Sequence, residues 1–305
     1  MNRRKNRLFL FPIILLAFLS VIGCGAGSFA EAGEEIIEAG EALELITGDN
    51  VVLVDAQNAK AYEKRHLVGA VNISRADIVV NTPVVNVLAP AETIEHVFGK
   101  NGISNDTTIV VYDDNKNMDA ARLWWTAKVY GHESVKVVSG GIEALIAAGA
   151  QITADVPRVM TKTYKAEPLR KEWIAEKSDL LAQVDDPQPG VKLLDTRTVE
   201  EFNEGTIPGS VLIDYARNNF SDNTYRPVQH IRIMYQENDL GPKDTIIMYC
   251  KTSIRGAQTF LALYNAGYRN LKLYDGAWVE WSADPNLPVQ MPDNARMQPA
   301  VQDAS

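Results

Sequence analysis

Cysteine is almost absent from this chain: its 305 residues include two, Cys24 and Cys250. That excludes a disulfide framework and a cysteine-built zinc site, both of which need more thiols. Histidine is equally thin. His66, His96, His132 and His230 stand far apart without ligand spacing, so they read as structural and no metal is expected. Surplus basic charge is missing too. A net charge of −9 argues against the basic face that a nucleic-acid partner requires. No uninterrupted apolar run reaches the ~20 residues of a bilayer-spanning helix. What is present, 46% hydrophobic and 23% charged residues, can build real cores. The length suits about two domains of ordinary size.

The N-terminus reads as a targeting segment, residues 1–23, outside the fold. Arg3, Arg4, Lys5 and Arg7 lead into an apolar stretch from Leu8 to Leu19, which is followed by Val21-Ile22-Gly23-Cys24. That last group resembles the bacterial lipobox, in which the cysteine is acylated and becomes the new N-terminus. Several acyl chains suffice for stable attachment to a membrane. Gly25 rather than Asp follows, which by resemblance to Gram-negative sorting favours the outer membrane, with the folded part outside the cytoplasm. Acylation of Cys24 would leave Cys250 as the one free thiol of the mature protein.

An internal repeat organises the remainder. Val51-Val52-Leu53-Val54-Asp55 matches Val191-Lys192-Leu193-Leu194-Asp195, each a short strand pattern ending in a carboxylate. Seven residues beyond each Asp stands an aromatic, Tyr62 or Phe202, and fourteen beyond stands a turn glycine, Gly69 or Gly209. Thr107 to Asp113 then matches Asp244 to Cys250, both β-branched runs suited to a central parallel strand. Helical stretches follow, Met118 to Tyr130 and Gly256 to Asn265, and Gly131 and Gly267 are placed to close them. Strand, helix and strand repeated in this way predict an α/β chain with two domains, each a mostly parallel sheet flanked by helices. The expected divisions are 24–158, a linker at 159–172, a second domain at 173–288 and an unfolded tail at 289–305. A stretch from Asp214 to Gly241 reads as an insertion peculiar to the second domain, near its active-site mouth.

Cys250 ends a strand and a helix begins just beyond it, which is where open α/β sheets bind ligands. Loop amides, a helix N-terminus and the cations Lys251 and Arg255 all favour a thiolate there. A buried structural cysteine would need none of them.

The run Tyr249-Cys250-Lys251-Thr252-Ser253-Ile254-Arg255-Gly256-Ala257, with Gly267-Tyr268 and Leu273-Tyr274-Asp275-Gly276-Ala277-Trp278, resembles the catalytic half of a tandem rhodanese. The N-terminal half, with Asp113 in place of the cysteine, resembles the family's non-catalytic partner. The resemblance implies a sulfurtransferase that holds a persulfide on Cys250 and needs no cofactor. Its substrates are a small sulfur-donor anion and a thiol acceptor. It also implies donor contacts from Arg197, Lys251, Thr252, Ser253 and Arg255, with Arg197 corresponding to the family's Asp-x-Arg. Lys251 directly after the cysteine points to thiosulfate more than to 3-mercaptopyruvate, whereas Thr252 resembles the mercaptopyruvate group and Ser253 replaces the usual glycine.

Two rivals remain. Related phosphatases use Cys-x5-Arg, one residue longer than Cys250 to Arg255, and anion cradles depend on loop size. A non-enzymatic envelope lipoprotein is the other: a scaffold for an envelope protein partner, or a binder of sulfur, selenium or a soft metal through Cys250.

Overall fold

The computed structural model describes residues 28–292. Cys24 and the lipobox lie outside the described residues. The first sheet comprises β1 (Ile36–Ile37), β2 (Val51–Asp55), β3 (Val71–Asn72), β4 (Thr108–Tyr112) and β5 (Val135–Val138), in the order β1-β5-β4-β2-β3. The second comprises β6 (Ile174–Ala175), β7 (Val191–Asp195), β8 (Val211–Leu212), β9 (Thr245–Tyr249) and β10 (Leu271–Tyr274), in the order β6-β10-β9-β7-β8. All neighbours in both sheets are parallel. After an opening threonine the central strands β4 and β9 are apolar and buried because helices cover both faces, which is the burial that parallel sheets require.

The repeat extends to single atoms. Tyr112 Oη accepts the Leu67 N–H at 2.9 Å, and Tyr249 Oη accepts the Ile207 N–H at 3.1 Å. Gly69 and Gly209 turn with φ of 84° and 81°, a left-handed backbone that glycine adopts without a Cβ clash.

Each central strand feeds a helix: α1 (Met118–Val129) after β4, and α2 (Ile254–Asn265) after β9. These two helices pack against each other and form the domain interface. Burial on all sides explains why α1 carries Trp124 and Trp125 and lacks an amphipathic stripe. Trp173 lies 4.8 Å from Phe260 and 5.8 Å from Trp124 (ring centroids), so one aromatic core crosses from domain to domain. An interface this apolar binds the halves into one body.

The Asp214–Gly241 stretch is not an insertion. Both domains have a hairpin and a helix in this position: Val79–Val80 against Val87–Leu88 before the helix Ala91–Lys100, and the Asn219–Tyr225 bridge before Val228–Gln236. The helices and their exits keep one pattern at identical spacing, Pro90 ahead of the buried Ile94, Phe98 and Ile103 against Pro227 ahead of the buried Ile231, Tyr235 and Leu240. The hairpins share no side-chain pattern and are matched by geometry alone. Each hairpin crosses to the other domain. Leu88 N–H donates to Asp275 Oδ2 at 2.6 Å, while Asn117 Nδ2 donates to the Asn223 carbonyl at 2.6 Å.

Two termini add contacts the sequence did not announce. Residues 29–35 strap across the second domain, with Gly33 N–H on the Asn265 carbonyl and Phe29 edge-on to Tyr268. Gln290, assigned by composition to an unfolded tail, exchanges two backbone hydrogen bonds with Thr206 at 2.9 Å.

Candidate active site

Cys250 follows directly on β9, with 1% of its surface exposed. The first turn of the helix Ala277–Ser282 fixes its backbone. Trp278 N–H donates to the Cys250 carbonyl at 2.9 Å, and Val279 N–H to that of Lys251 at 3.2 Å. The loop is three residues long and ends at Ser253, whose φ of 65° turns the chain into α2. The helix therefore begins at Ile254, slightly earlier than the glycine suggested.

Arg255, in the first turn of α2, forms a fork-to-fork pair with Glu201 at 2.5 and 2.8 Å. This hydrogen bonding holds the Glu201 carboxyl at about 2, against burial that would raise it, and the Thr198 backbone N–H assists. Burial alone would lower the Arg255 guanidinium, but Glu201 and the adjacent Cys250 sulfur hold it above its ordinary value. Tyr215 lies beside the same groups, its ring 5.8 Å from the guanidinium carbon. Burial raises its hydroxyl, with the Asp214 and Cys250 charges adding to the effect.

Arg197 sits differently from its expected role. Its Nε and Nη2 bond the Asp195 carboxylate at 2.6–3.1 Å, Nη2 also bonds the Gly205 carbonyl at 2.6 Å, and the group is 2% exposed. Its guanidinium carbon lies 4.3 Å from the Trp278 ring centroid. The ion pair is internal to the domain and supports the floor of the site. Lys251 is exposed at the rim, Thr252 is half-buried, and Ser253 is buried. The structure thus brings Cys250, Thr252, Ser253 and Arg255 together, with Lys251 outermost and Arg197 turned onto Asp195.

Sequence reasoning missed Glu201, Tyr215, Asp275, Trp278 and Arg122. Glu201 had a signal: Thr198-x-x-Glu201 is a capping box, which puts the carboxylate on a helix's first turn. Arg122 had none, because it approaches from the other domain.

The N-terminal copy of this loop shows what such a loop holds. The Asp113 carboxylate accepts backbone N–H groups from Asn115, Asn117, Asp119 and Ala120 at 2.8–3.0 Å. Burial, with the Asp119 charge next, pushes this carboxyl up to about 6, against four donors that favour the anion. Asp119 occupies the place on α1 that Arg255 takes on α2, and is paired with Arg75. Four aligned amides around one side chain form an anion cradle.

The rhodanese-like domain model matches residues 38–148 and 176–284, and the chain belongs to that family. It is 27% identical over 271 residues to a thiosulfate sulfurtransferase of Corynebacterium glutamicum, covering 82% of this chain and 88% of the relative. It is 30% identical over 226 residues to the sulfur carrier protein TtuD of Thermus thermophilus, covering 68% and 79% respectively. Among solved structures, it resembles the anaerobic ergothioneine biosynthesis enzyme of Chlorobium limicola in complex with trimethyl histidine. The TM-score is 0.76 at 22% identity, over 85% of this chain and 70% of that one, a likeness of fold.

Proposed function

We propose that this protein is a sulfurtransferase that carries sulfane sulfur from thiosulfate to a thiophilic acceptor through a persulfide on Cys250. The observation that carries the reading is the position of Cys250. The thiol stands where the other copy of the loop cradles a carboxylate with four backbone N–H groups. Burial and the Asp119 charge work against the anion in that copy, whereas Arg255 stands in the place of Asp119 beside Cys250. Amides and a cation together suit a thiolate and the persulfide anion that replaces it. Sulfur transfer as the reaction class is supported by the two rhodanese-like domains and by the relatives' own names.

The Cys250 thiolate attacks the outer sulfur of thiosulfate. The donor's S–S bond breaks, and sulfite leaves with its electron pair. An acceptor thiolate, or cyanide in an assay, then attacks the outer persulfide sulfur and regenerates the Cys250 thiolate, a ping-pong cycle. Glu201 aims and partly neutralises Arg255, while Lys251 at the rim offers an arriving anion its first unpaired cation. Thr252 completes the donor pocket, the buried Ser253 sets the loop beneath it, and Arg197 braces it through Asp195 and Trp278.

Thiosulfate-dependent thiocyanate formation tests the proposal, together with mass spectrometry of the protein after thiosulfate alone. The expected result is a gain of one sulfur atom on Cys250, lost on adding cyanide, with both signals absent in Cys250→Ser. Appreciable thiocyanate from Cys250→Ser would sink the mechanism. The lipobox reading of Val21 to Cys24 adds a location: anchored in the cell envelope by lipid on Cys24, outer membrane favoured, with both domains outside the cytoplasm.

A further inference from the structure

The loop that carries Cys250 is held from the opposite domain. Arg122 lies on α1, in the half without the cysteine, and is 0% exposed. Its Nη1 donates to Ser253 Oγ at 3.0 Å and to Asp275 Oδ1 at 2.6 Å, and Nη2 donates to the Asn86 carbonyl at 3.0 Å. The Trp125 ring lies 4.7 Å beneath the guanidinium.

Each partner governs part of the reactive loop. Ser253 adopts a left-handed φ of 65°, a conformation that a residue with a Cβ holds only when its surroundings enforce it. Its hydroxyl donates to the Thr252 carbonyl at 2.7 Å, so the Arg122 bond holds the last two residues of the loop, Thr252 and Ser253. Asp275 begins the turn whose Trp278 N–H grips the Cys250 carbonyl. The other copy repeats the device. Asn117, left-handed at 64°, is tied across the interface to the Asn223 carbonyl. Both loops are therefore clamped at the same residue by the other domain, through chemically unrelated groups.

We propose that Arg122 is a positioning residue for sulfur transfer, and that the N-terminal domain takes part in catalysis by setting the Cys250–Ser253 loop through it. This rests on the reading of Cys250 as the sulfur-accepting thiol. Arg122 is too buried to touch a donor, so its loss misplaces the reactive group and leaves donor capture intact.

The test uses Arg122→Lys, which keeps a cation opposite Asp275 but loses the fork, and Ser253→Ala, which removes only the hydroxyl and keeps the Arg122–Asp275 pair. Each is measured in the full chain, after a single cooperative thermal transition has shown it to be folded. The expected kcat for thiocyanate formation falls by about 10- to 100-fold in each, the scale of a small misplacement of reacting groups. The KM for thiosulfate should change by no more than about threefold, and the double variant should be no worse than the poorer single variant. Folded Ser253→Ala with unchanged kcat, or a loss confined to KM, overturns the proposal, whether or not Arg122→Lys folds. The initial rate of iodoacetamide alkylation mapped to Cys250 needs no donor, and it should fall in both variants. If the wild type transfers no sulfur, the sulfurtransferase reading fails while alkylation still decides the positioning role, and equal alkylation rates in all three proteins refute it.

Discussion

At the scale of single residues, cations that look alike in sequence do different work. Arg197 and Lys251 are both expected donor contacts, but one is buried on Asp195 and the other is exposed. Arg197→Ala should therefore cost about 3–5 kcal/mol of stability by stranding a buried carboxylate. Lys251→Ala should leave the melting temperature unchanged and raise the KM for thiosulfate several-fold; thermal melts beside steady-state kinetics separate the two. The Glu201–Arg255 pair makes a prediction with a sign. The Glu201 carboxyl is held at about 2, below its ordinary value, so its share of stability is fully present above about pH 4.5 and disappears as pH falls towards 2. With partial exposure discounted, Glu201→Gln should lose roughly 1–2 kcal/mol at pH 7 and almost nothing near pH 2. Denaturant melts across that range should show the gap closing on acidification, and a gap that widens would contradict the pairing. None of these distinctions was legible in the loop sequence, because charge type can be read from a residue's letter and the location of its partner cannot.

Among the elements, legibility followed local pattern. The paired runs ending in Asp55 and Asp195, the central strands before Asp113 and Cys250, and the glycine stops at Gly131 and Gly267 all come from short-range rules of apolar run length and backbone handedness. The matched hairpins at 79–88 and 219–225 escaped notice because their likeness lies in path, not in side chains. The ends of the fold, the strap at 29–35 and the bridge at Gln290, depend on long-range partners that composition cannot show. The two loops after β4 and β9 define the element-scale experiment. The Asp113 loop has one residue more than the Cys250 loop before its helix, and it places Asp119 where the other has Arg255. Asp113→Cys in a Cys250→Ser background should therefore show no thiocyanate formation, since the new thiol would meet a carboxylate in the path of an anionic donor. It should also be destabilised by a few kcal/mol, because the amides of Asn115, Asn117, Asp119 and Ala120 lose their charged acceptor. Recovery of transfer activity would show that the cradle alone suffices and that the cation on α2 is dispensable.

For the whole molecule, the two domains, their shared aromatic core and the strap make one body with two distinct ends. The chain enters along residues 29–35, bonded to Asn265 and Gly267 at the C-terminal end of α2, whereas Cys250 stands at that helix's N-terminal end. Twelve helical residues separate the two ends, about 18 Å at the usual rise. A lipid on Cys24, which lies outside the described residues, would attach to the chain ahead of that strap and not to the loop that carries the thiol. Anchoring and catalysis should then be separable. The wild-type protein should partition into a detergent phase and incorporate lipid precursors. Cys24→Ala should lose both properties and keep its melting temperature, its kcat and its persulfide loading, because no group near Cys250 changes. Two results would count against this arrangement: a wild-type chain that stays in the aqueous phase with an unmodified Cys24 thiol, or a Cys24→Ala chain whose sulfur transfer falls along with its membrane association. The first would remove the anchor. The second would mean that membrane attachment supplies something to the reaction, such as access to an acceptor held at the surface.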